Sequence, residues 1–271
     1  MTIHHLPLRH ARSLLFLPAS NPRAIVKARG LACDMVILDL EDAVPDDQKK
    51  EARDAAVAAA PLFGETLVGI RINVADTPWH GDEMVAVKNS TAQFVVLPKV
   101  ESPQDVHDVY SVCAKPVIAM IESARGLLAA PAIAAQTGTA ALFIGVNDLR
   151  SDLGLPGLGR QGLSLALQTV VLAARAAGIA VFDGVYNRLD DMEGLIAECE
   201  EGRAFGFDGK NLIHPNQVEV CNRVFGPSAE ALAEARRLVD AATGGAERFE
   251  GRMIEAMHVA DAKALLARAE R

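Results

Sequence analysis

The sequence predicts a (β/α)8 barrel with a C-terminal helical extension. Three observations carry this. Eight short apolar runs are continuous rather than alternating, as expected for strands buried on both faces. Helical patterns fill the gaps, so strands and helices alternate along the chain. The runs between Ser13 and Phe207 start about 28 residues apart, which suits a barrel of ~250 residues. An open doubly wound sheet also alternates, but it usually has fewer strands and a glycine fingerprint after the first. Here that turn is Leu17-Pro18-Ala19-Ser20-Asn21, without glycine.

The first expected strand is Ser13 to Ala19. Asn21-Pro22 then opens a helix through Lys27, because proline suits a first helical turn. The second strand, Asp34 to Leu40, ends in the acidic run Asp39 to Asp42, and a helix is expected from Asp46 to Ala60. Strands follow at Thr66 to Ile72, Gln93 to Lys99, Lys115 to Glu122, Ala140 to Asp148, Ala180 to Val185 and Phe207 to His214. Between them lie helical patterns at 82–87, 104–112, 126–135, 162–177 and 189–205. The barrel is expected to span residues 1–226. Beyond Gly226-Pro227 come a long helix, a Thr243-Gly244-Gly245 joint and a last helical stretch, which make 227–271 a candidate mobile or exchanged segment.

Half of the 271 residues are hydrophobic and only 4% are aromatic, so the core is mostly aliphatic. A formal net charge of −8 argues against a nucleic-acid or anionic-membrane binder. Cys33, Cys113, Cys199 and Cys221 are scattered and form no C-x-x-C pair, which reads as buried thiols in a reducing compartment. The polar, His-rich segment Met1 to Arg12 has no secretory pattern, and no apolar run is long enough to span a membrane. A cytoplasmic location is therefore expected. His4, His5 and His10 read as a polar terminus rather than a metal site.

The chemistry is expected where strands end, because a parallel barrel builds its active site at that face. Two apolar runs close on carboxylates, Glu122 and Asp148. A carboxylate at the end of a buried strand is costly unless paired. Two of them converging from neighbouring strands suit one hard divalent cation such as Mg²⁺. Arg71 offers a planar bidentate donor for a carboxylate substrate, or a partner for the Asp39–Asp42 acids, or both. Lys99 could form a Schiff base, but nothing around Pro98-Lys99 signals an apolar pocket, so an electrostatic or structural role is expected. Asp183 and Asp208 are expected to hold loops, and His214 alone points to no role. Two motifs lead elsewhere and are set aside. Gly157-x-Gly159-x-x-Gly162 precedes a helix but does not directly follow a strand, as a dinucleotide site requires. Cys199, His214 and Cys221 fit no common zinc spacing.

An ordered set of motifs resembles the citrate lyase beta-subunit-like proteins of the wider HpcH/HpaI aldolase group, which includes malyl-CoA and citramalyl-CoA lyases. The motifs are the opening Arg12 to Arg23, Val36 to Pro45, Arg71-Ile-Asn73 with Thr77-Pro-Trp79, Leu97 to Pro103, Ile121-Glu-Ser123, Asp148-Leu149 with Asp152-Leu-Gly154, Gly206 to Lys210, and Ile213 to Gln217. They cover nearly the whole chain. The resemblance implies Mg²⁺ held by Glu122 and Asp148, an oxoacid held by Arg71, and a CoA site lined by the Arg12–Lys27 region and Ile213-His214. It implies cleavage of a 3-hydroxyacyl-CoA to acetyl-CoA and an α-oxoacid. It also implies a homotrimer or homohexamer, with a larger lyase complex as a further setting, in which a C-terminal segment closes a neighbour's site. The segment's Gly-x-Met-(Val/Ile)-Asp pattern reads Gly251-Arg-Met-Ile-Glu255 here, so Glu255 stands in the catalytic position one methylene longer. Two other readings remain. A class II pyruvate aldolase shares the barrel and metal but typically has a histidine after the second strand, where Glu41-Asp-Ala-Val-Pro45 has none. A non-catalytic subunit binding acyl-CoA or an oxoacid would accommodate Glu255.

Overall fold

The computed structural model describes residues 8–157 and 159–269. Eight parallel strands close in sequence order into a barrel. They alternate with helices, starting with β1 (Ser13–Pro18), α1 (Pro22–Ala28), β2 (Met35–Asp39) and α2 (Lys49–Ala59). The middle units are β3 (Leu67–Arg71), α3 (His80–Asn89), β4 (Phe94–Leu97), α4 (Pro103–Cys113), β5 (Val117–Ile121) and α5 (Ala124–Ala135). Next come β6 (Thr139–Ile144), a short α6 (Val146–Asp152), α7 (Ser164–Ala177), β7 (Ala180–Asp183), α8 (Met192–Phe205), β8 (Gly209–Leu212) and α9 (Gln217–Phe225). β8 returns to pair with β1, with Ser13 opposite Lys210.

Local chemistry sets the helix starts. Asn21 caps α1 by accepting from the Ala24 N–H, with Pro22 in the first turn. Ser102 and Asp105 form a reciprocal capping box at α4, satisfying two otherwise orphaned donors. Ser123 caps α5 directly after Glu122, so the chain turns sharply just past that carboxylate.

Alternation along the strands divides the core in two. Leu14, Met35, Ile37, Phe94, Val96, Ile118, Met120, Ala141, Phe143 and Phe182 fill the barrel lumen. Their strand neighbours Leu15, Val36, Leu38, Val95, Ala119, Leu142 and Val181 face the helices. Gly69 must stay a glycine, since a Cβ there would lie 2.0 Å from the Phe94 ring. The same parity sorts the polar strand ends. Asp39, Arg71 and Glu122 carry the inward parity, and Asp183 carries the outward one.

Several boundaries differ from the sequence expectation. β6 stops at Ile144, and Asp148 sits in the first turn of α6 rather than at a strand end. β8 stops at Leu212, leaving Ile213 and His214 in the turn beyond it. The region after α9 is not purely helical. α10 (Ala229–Ala241) leads to a hairpin of β9 (Glu247–Phe249) and β10 (Arg252–Ile254), then α11 (Ala256–Ala269). Three-residue strands are too short to leave a periodic signal. Ala235, Leu238, Phe249, Ile254 and Ala262 form a small core of their own there. The four cysteines are free and buried, as expected. His4 and His5 lie outside the described residues, and His10 ends a short exposed turn. Gly157 and Gly159 follow α6 rather than a strand, with Leu158 outside the described residues. No helix among the described residues is long and apolar enough to cross a membrane.

Candidate active site

A cleft of about 340 Å³ opens at the C-terminal ends of the strands. That lies within the range of small-molecule sites. Its apolar wall includes Phe16, Met120, Phe143, Val146 and Val185, and its polar groups are Asp39, Asp42, Arg71, Glu122, Asn147 and Asp148. Phe16 and Phe143 meet at 5.6 Å between ring centroids.

Arg71 ends β3 and is only 9% exposed. Asp39, its direct partner in the β2–β3 register, takes it bidentately: Nε donates to Oδ1 at 2.6 Å and Nη2 to Oδ2 at 2.7 Å. Glu41 Oε2 lies 2.7 Å from Nη1, and Asp42 is at 3.5 Å. The Phe16 ring supports the guanidinium from one face at 5.3 Å. Burial alone would lower the Arg71 pKa. Asp39, then Glu41 and Asp42, outweigh it and raise the value. Arg71 is paired with the Asp39–Asp42 acids, as one of its two expected roles required, and it still lines the cleft.

Glu122 follows β5 and is 5% exposed. Its Oε1 accepts the Lys99 backbone N–H at 2.6 Å. That donor is aimed by a left-handed Lys99 backbone, φ 51°, which costs a residue with a side chain about 1 kcal/mol. Gly145, between β6 and α6, makes room for the other oxygen, since a Cβ there would lie 2.5 Å from Oε2. Burial pushes the Glu122 carboxyl up to about 8, and the nearby Glu41 and Asp148 add to the shift against the Lys99 hydrogen bond. Glu41 is likewise pushed up to about 7 by burial, partly offset by Arg71. Lys99 itself reaches back toward Glu41, 3.7 Å from Oε1, which is the electrostatic role expected of it.

Glu122 and Asp148 thus share one cleft, although Asp148 comes from a helix turn. Among the described residues no group of three His, Cys, Asp or Glu side chains could hold a metal ion. The pair still fits Mg²⁺, which typically takes one or two carboxylates and fills its other positions with water and substrate oxygens. Glu122 Oε2, facing the cleft in its glycine cradle, and the exposed Asp148 carboxylate are the available donors.

Ile213 also lines the cleft, because it continues the inward parity of β8. His214 does not; its Nδ1 instead accepts the Asn216 N–H. Lys27 is exposed at the end of α1 and does not line the cleft. Arg12 corrects the expectation. It precedes β1 and so stands at the opposite end of the barrel, about 20 Å away along a six-residue strand. There Asp34 takes its Nε at 2.8 Å, Nη2 at 2.9 Å and backbone N–H at 2.7 Å. Glu255 is exposed between β10 and α11, its N–H donating to His258 Nδ1, and it does not line the cleft of its own chain.

Sequence reading missed the support behind the acids. Lys49 is 5% exposed and donates to Leu40 O, Glu41 O and Asn73 Oδ1 at 2.7 to 2.8 Å. Glu83 takes the Asn73 N–H at 2.7 Å and Asn73 Nδ2 at 2.6 Å. Together they tie the ends of β2 and β3 and so position Asp39 and Arg71. Nothing local in Lys49-Lys50 marks one lysine as buried. Asp183 and Asp208 hold structure as expected. Asp183 binds Lys210 Nζ at 2.8 Å and Arg160 at 2.7 and 2.9 Å between strands and α8, and Arg175 binds Asp208.

Residues 12–215 match the family model described as HpcH/HpaI aldolase/citrate lyase. The chain is 42% identical over 270 residues to a (3S)-malyl-CoA thioesterase of Cereibacter sphaeroides, covering 96% of this chain and 94% of that one. It is 37% identical over 263 residues to a citrate lyase subunit beta-like protein of Mycobacterium tuberculosis, covering 94% of each. The crystal structure of CitE from M. tuberculosis with magnesium, acetoacetate and coenzyme A superposes with a TM-score of 0.85 at 36% identity, covering 97% of this chain and all of that one. A closed eight-stranded barrel, an arginine and two carboxylates in one cleft at its C-terminal face, and these full-length similarities lead to one conclusion: the chain belongs to the HpcH/HpaI aldolase/citrate lyase family.

Proposed function

We propose that this chain is a Mg²⁺-dependent carbon–carbon lyase that cleaves a 3-hydroxyacyl-CoA of the malyl, citramalyl or citryl type into acetyl-CoA and an α-oxoacid. The observation that carries the reading is the convergence of Arg71, Glu122 and Asp148 in one cleft. The cleft's volume suits the acyl group, with the CoA arm outside. The magnesium, acetoacetate and coenzyme A bound to the M. tuberculosis relative support the same class of ligand.

Glu122 and Asp148 would hold the ion, which when bound supplies Lewis-acid polarisation of the substrate's hydroxyl or oxo oxygen. Arg71, already fixed by Asp39, binds the carboxylate that becomes the oxoacid's and offers positive charge where the oxyanion develops. Phe16, Met120 and Phe143 exclude water and strengthen those charges. Solvent takes up the hydroxyl proton, the oxygen's electron pair forms the oxoacid's C=O, and the C–C bond breaks with its electron pair passing to the acyl α-carbon. A proton delivered there completes acetyl-CoA. Glu255 of a second copy is the acid we assign to that step. The CoA arm leaves past Ile213 toward His214 and the start of α1, since β8 and β1 are neighbours and bring the turns after them to one side.

A second reading, thioester hydrolysis, is favoured by the 42% identity to a malyl-CoA thioesterase. Water would add to the thioester carbonyl and the C–S bond would break. One assay separates the two. A panel of 3-hydroxyacyl-CoA thioesters is incubated with Mg²⁺ or chelator, and products are identified. Oxoacid plus acyl-CoA, lost with chelator, is the expected result. Free CoA thiol plus intact hydroxyacid would replace the lyase by a hydrolase, and oxoacid binding without turnover would leave a binding subunit.

A further inference from the structure

Three non-glycine residues among those described have a positive φ: Lys99 at 51°, Ala114 at 53° and Glu250 at 44°. Two are ordinary. Ala114 ends α4 in the left-handed conformation that closes many helices, and Glu250 sits in the tight turn between β9 and β10. Lys99 does neither. It stands between β4 and α4, at the rim of the cleft, where its N–H serves Glu122. Any residue but proline supplies that N–H, and glycine would do so without strain. A lysine held there implies a use for its side chain.

That side chain is half-exposed and unspent. Lys49 donates three hydrogen bonds, Lys115 two and Lys210 two, which ties each of them into the fold. Among the described residues the Lys99 ammonium makes none; its one ion pair, to Glu41 Oε1 at 3.7 Å, is beyond hydrogen-bonding distance. The other Glu41 oxygen meets Arg71 Nη1 at 2.7 Å, so the two cations stand on either side of one carboxylate. Arg71 is the one cation among the described residues that line the cleft. Asp39 and Glu41 already engage its Nε, Nη1 and Nη2, and what it has left faces the substrate carboxylate. The other side-chain donor of the lining, Asn147, is paired with Asn187. A thioester substrate has a second oxygen on which charge gathers, and the lining offers it no free side-chain donor.

We propose that the Lys99 ammonium donates to the thioester oxygen and is a further catalytic residue. Its flexible four-carbon stem carries it from Glu41 into the cleft. It keeps its proton throughout and forms no covalent bond; it stabilises charge. In C–C cleavage that charge is the enolate oxygen, formed as the bond's electron pair passes to the α-carbon and conjugates with the carbonyl. In hydrolysis it is the tetrahedral oxyanion left when water adds. The inference rests on the acyl-CoA substrate proposed above, but not on which of the two bonds breaks, since the same oxygen becomes negative in both.

The test reads the carbonyl itself. Acetyl-CoA, isotopically labelled at its carbonyl carbon, is bound to the full chain with Mg²⁺, and the thioester C=O stretch is followed by infrared difference spectroscopy. Wild type should lower the stretch relative to free acetyl-CoA. Lys99→Arg should keep part of that shift, and Lys99→Met and Lys99→Gly should lose it. Turnover of whichever thioester the wild type accepts should fall about 100-fold or more in kcat for Lys99→Met, with KM little changed. Thermal melting verifies folding. Lys99→Gly keeps the N–H for Glu122 and suits the backbone, so it should melt no lower than wild type and serves if the methionine variant fails to fold. A wild-type carbonyl at the free frequency, or folded variants without the charge that retain the shift, would overturn the proposal. The products of the thioester panel judge the lyase reading separately, because a hydrolase would show the same Lys99-dependent shift.

Discussion

Glu122→Gln tests the central electrostatic claim about the cleft. The substitution keeps the acceptor for the Lys99 N–H and the shape of the side chain, and removes only the titration. In the folded chain Glu122 is pushed up to about 8, mainly by burial. Unfolded, it returns to the ordinary range near 4.3. The native state therefore binds more protons than the unfolded one between those values. Stability from this group is fully present below pH ~4.3 and is lost as pH rises through the folded value. At 1.36 kcal/mol per unit, wild type loses roughly 3 to 5 kcal/mol across that window, and the glutamine variant is spared this loss. The assay is urea unfolding of both proteins at mildly acidic and mildly alkaline pH with chelator present. The stability difference should shift toward the variant as pH rises. Adding Mg²⁺ at alkaline pH should raise the melting temperature of wild type only, and the variant should lose metal-dependent turnover. A pH-independent difference would refute the protonated buried carboxyl. Equal stabilisation by Mg²⁺ would remove Glu122 from the metal site.

Arg71→Lys keeps the charge but cannot match Asp39 bidentately; turnover should fall about 100-fold or more with KM for the oxoacid raised in the reverse reaction, and near-wild-type kinetics would contradict the assignment. Lys210→Met leaves Asp183 buried with one cation fewer; a loss of about 3 kcal/mol is expected in denaturant titration, and a neutral outcome would mean that Arg160 and relaxation suffice. Gly145→Ala intrudes on Glu122 Oε2 and should weaken Mg²⁺-induced thermal stabilisation at least several-fold without unfolding the barrel. Glu255→Ala and Glu122→Gln should each be inactive alone, yet mixed after dissociation and reassembly they should recover part of the activity. No recovery would place Glu255 outside the neighbour's site.

How much was legible depends on what each residue answers to. Asp39, Arg71 and Glu122 close apolar runs, and strand parity read from those runs already turns all three inward with Phe16, Ile37 and Met120. Ile213 follows the same rule and His214 the opposite one, a distinction available from the sequence but not drawn from it. Asp148 was expected at a strand end because the apolar run Ala140 to Val146 does not reveal where pairing stops; β6 ends at Ile144, and Gly145 starts a helix. Arg12 was placed by motif alone, though it precedes the first strand and so belongs to the far end of a parallel barrel.

By itself, the sequence determined the barrel, its order of strands and helices, the buried thiols and the chemical character of the strand ends. Those follow from local periodicity, capping and composition, which act within a few residues. Only the tertiary structure decided that Lys49 is buried under the β2 and β3 ends and that Asp183 looks away from the cleft to Lys210 and Arg160. It also decided that the Lys99 backbone feeds Glu122 while its ammonium stands beside Glu41. Each of these depends on which distant segment arrives beside a side chain. Burial and pairing are properties of that arrival, and they set the charge state of the cleft.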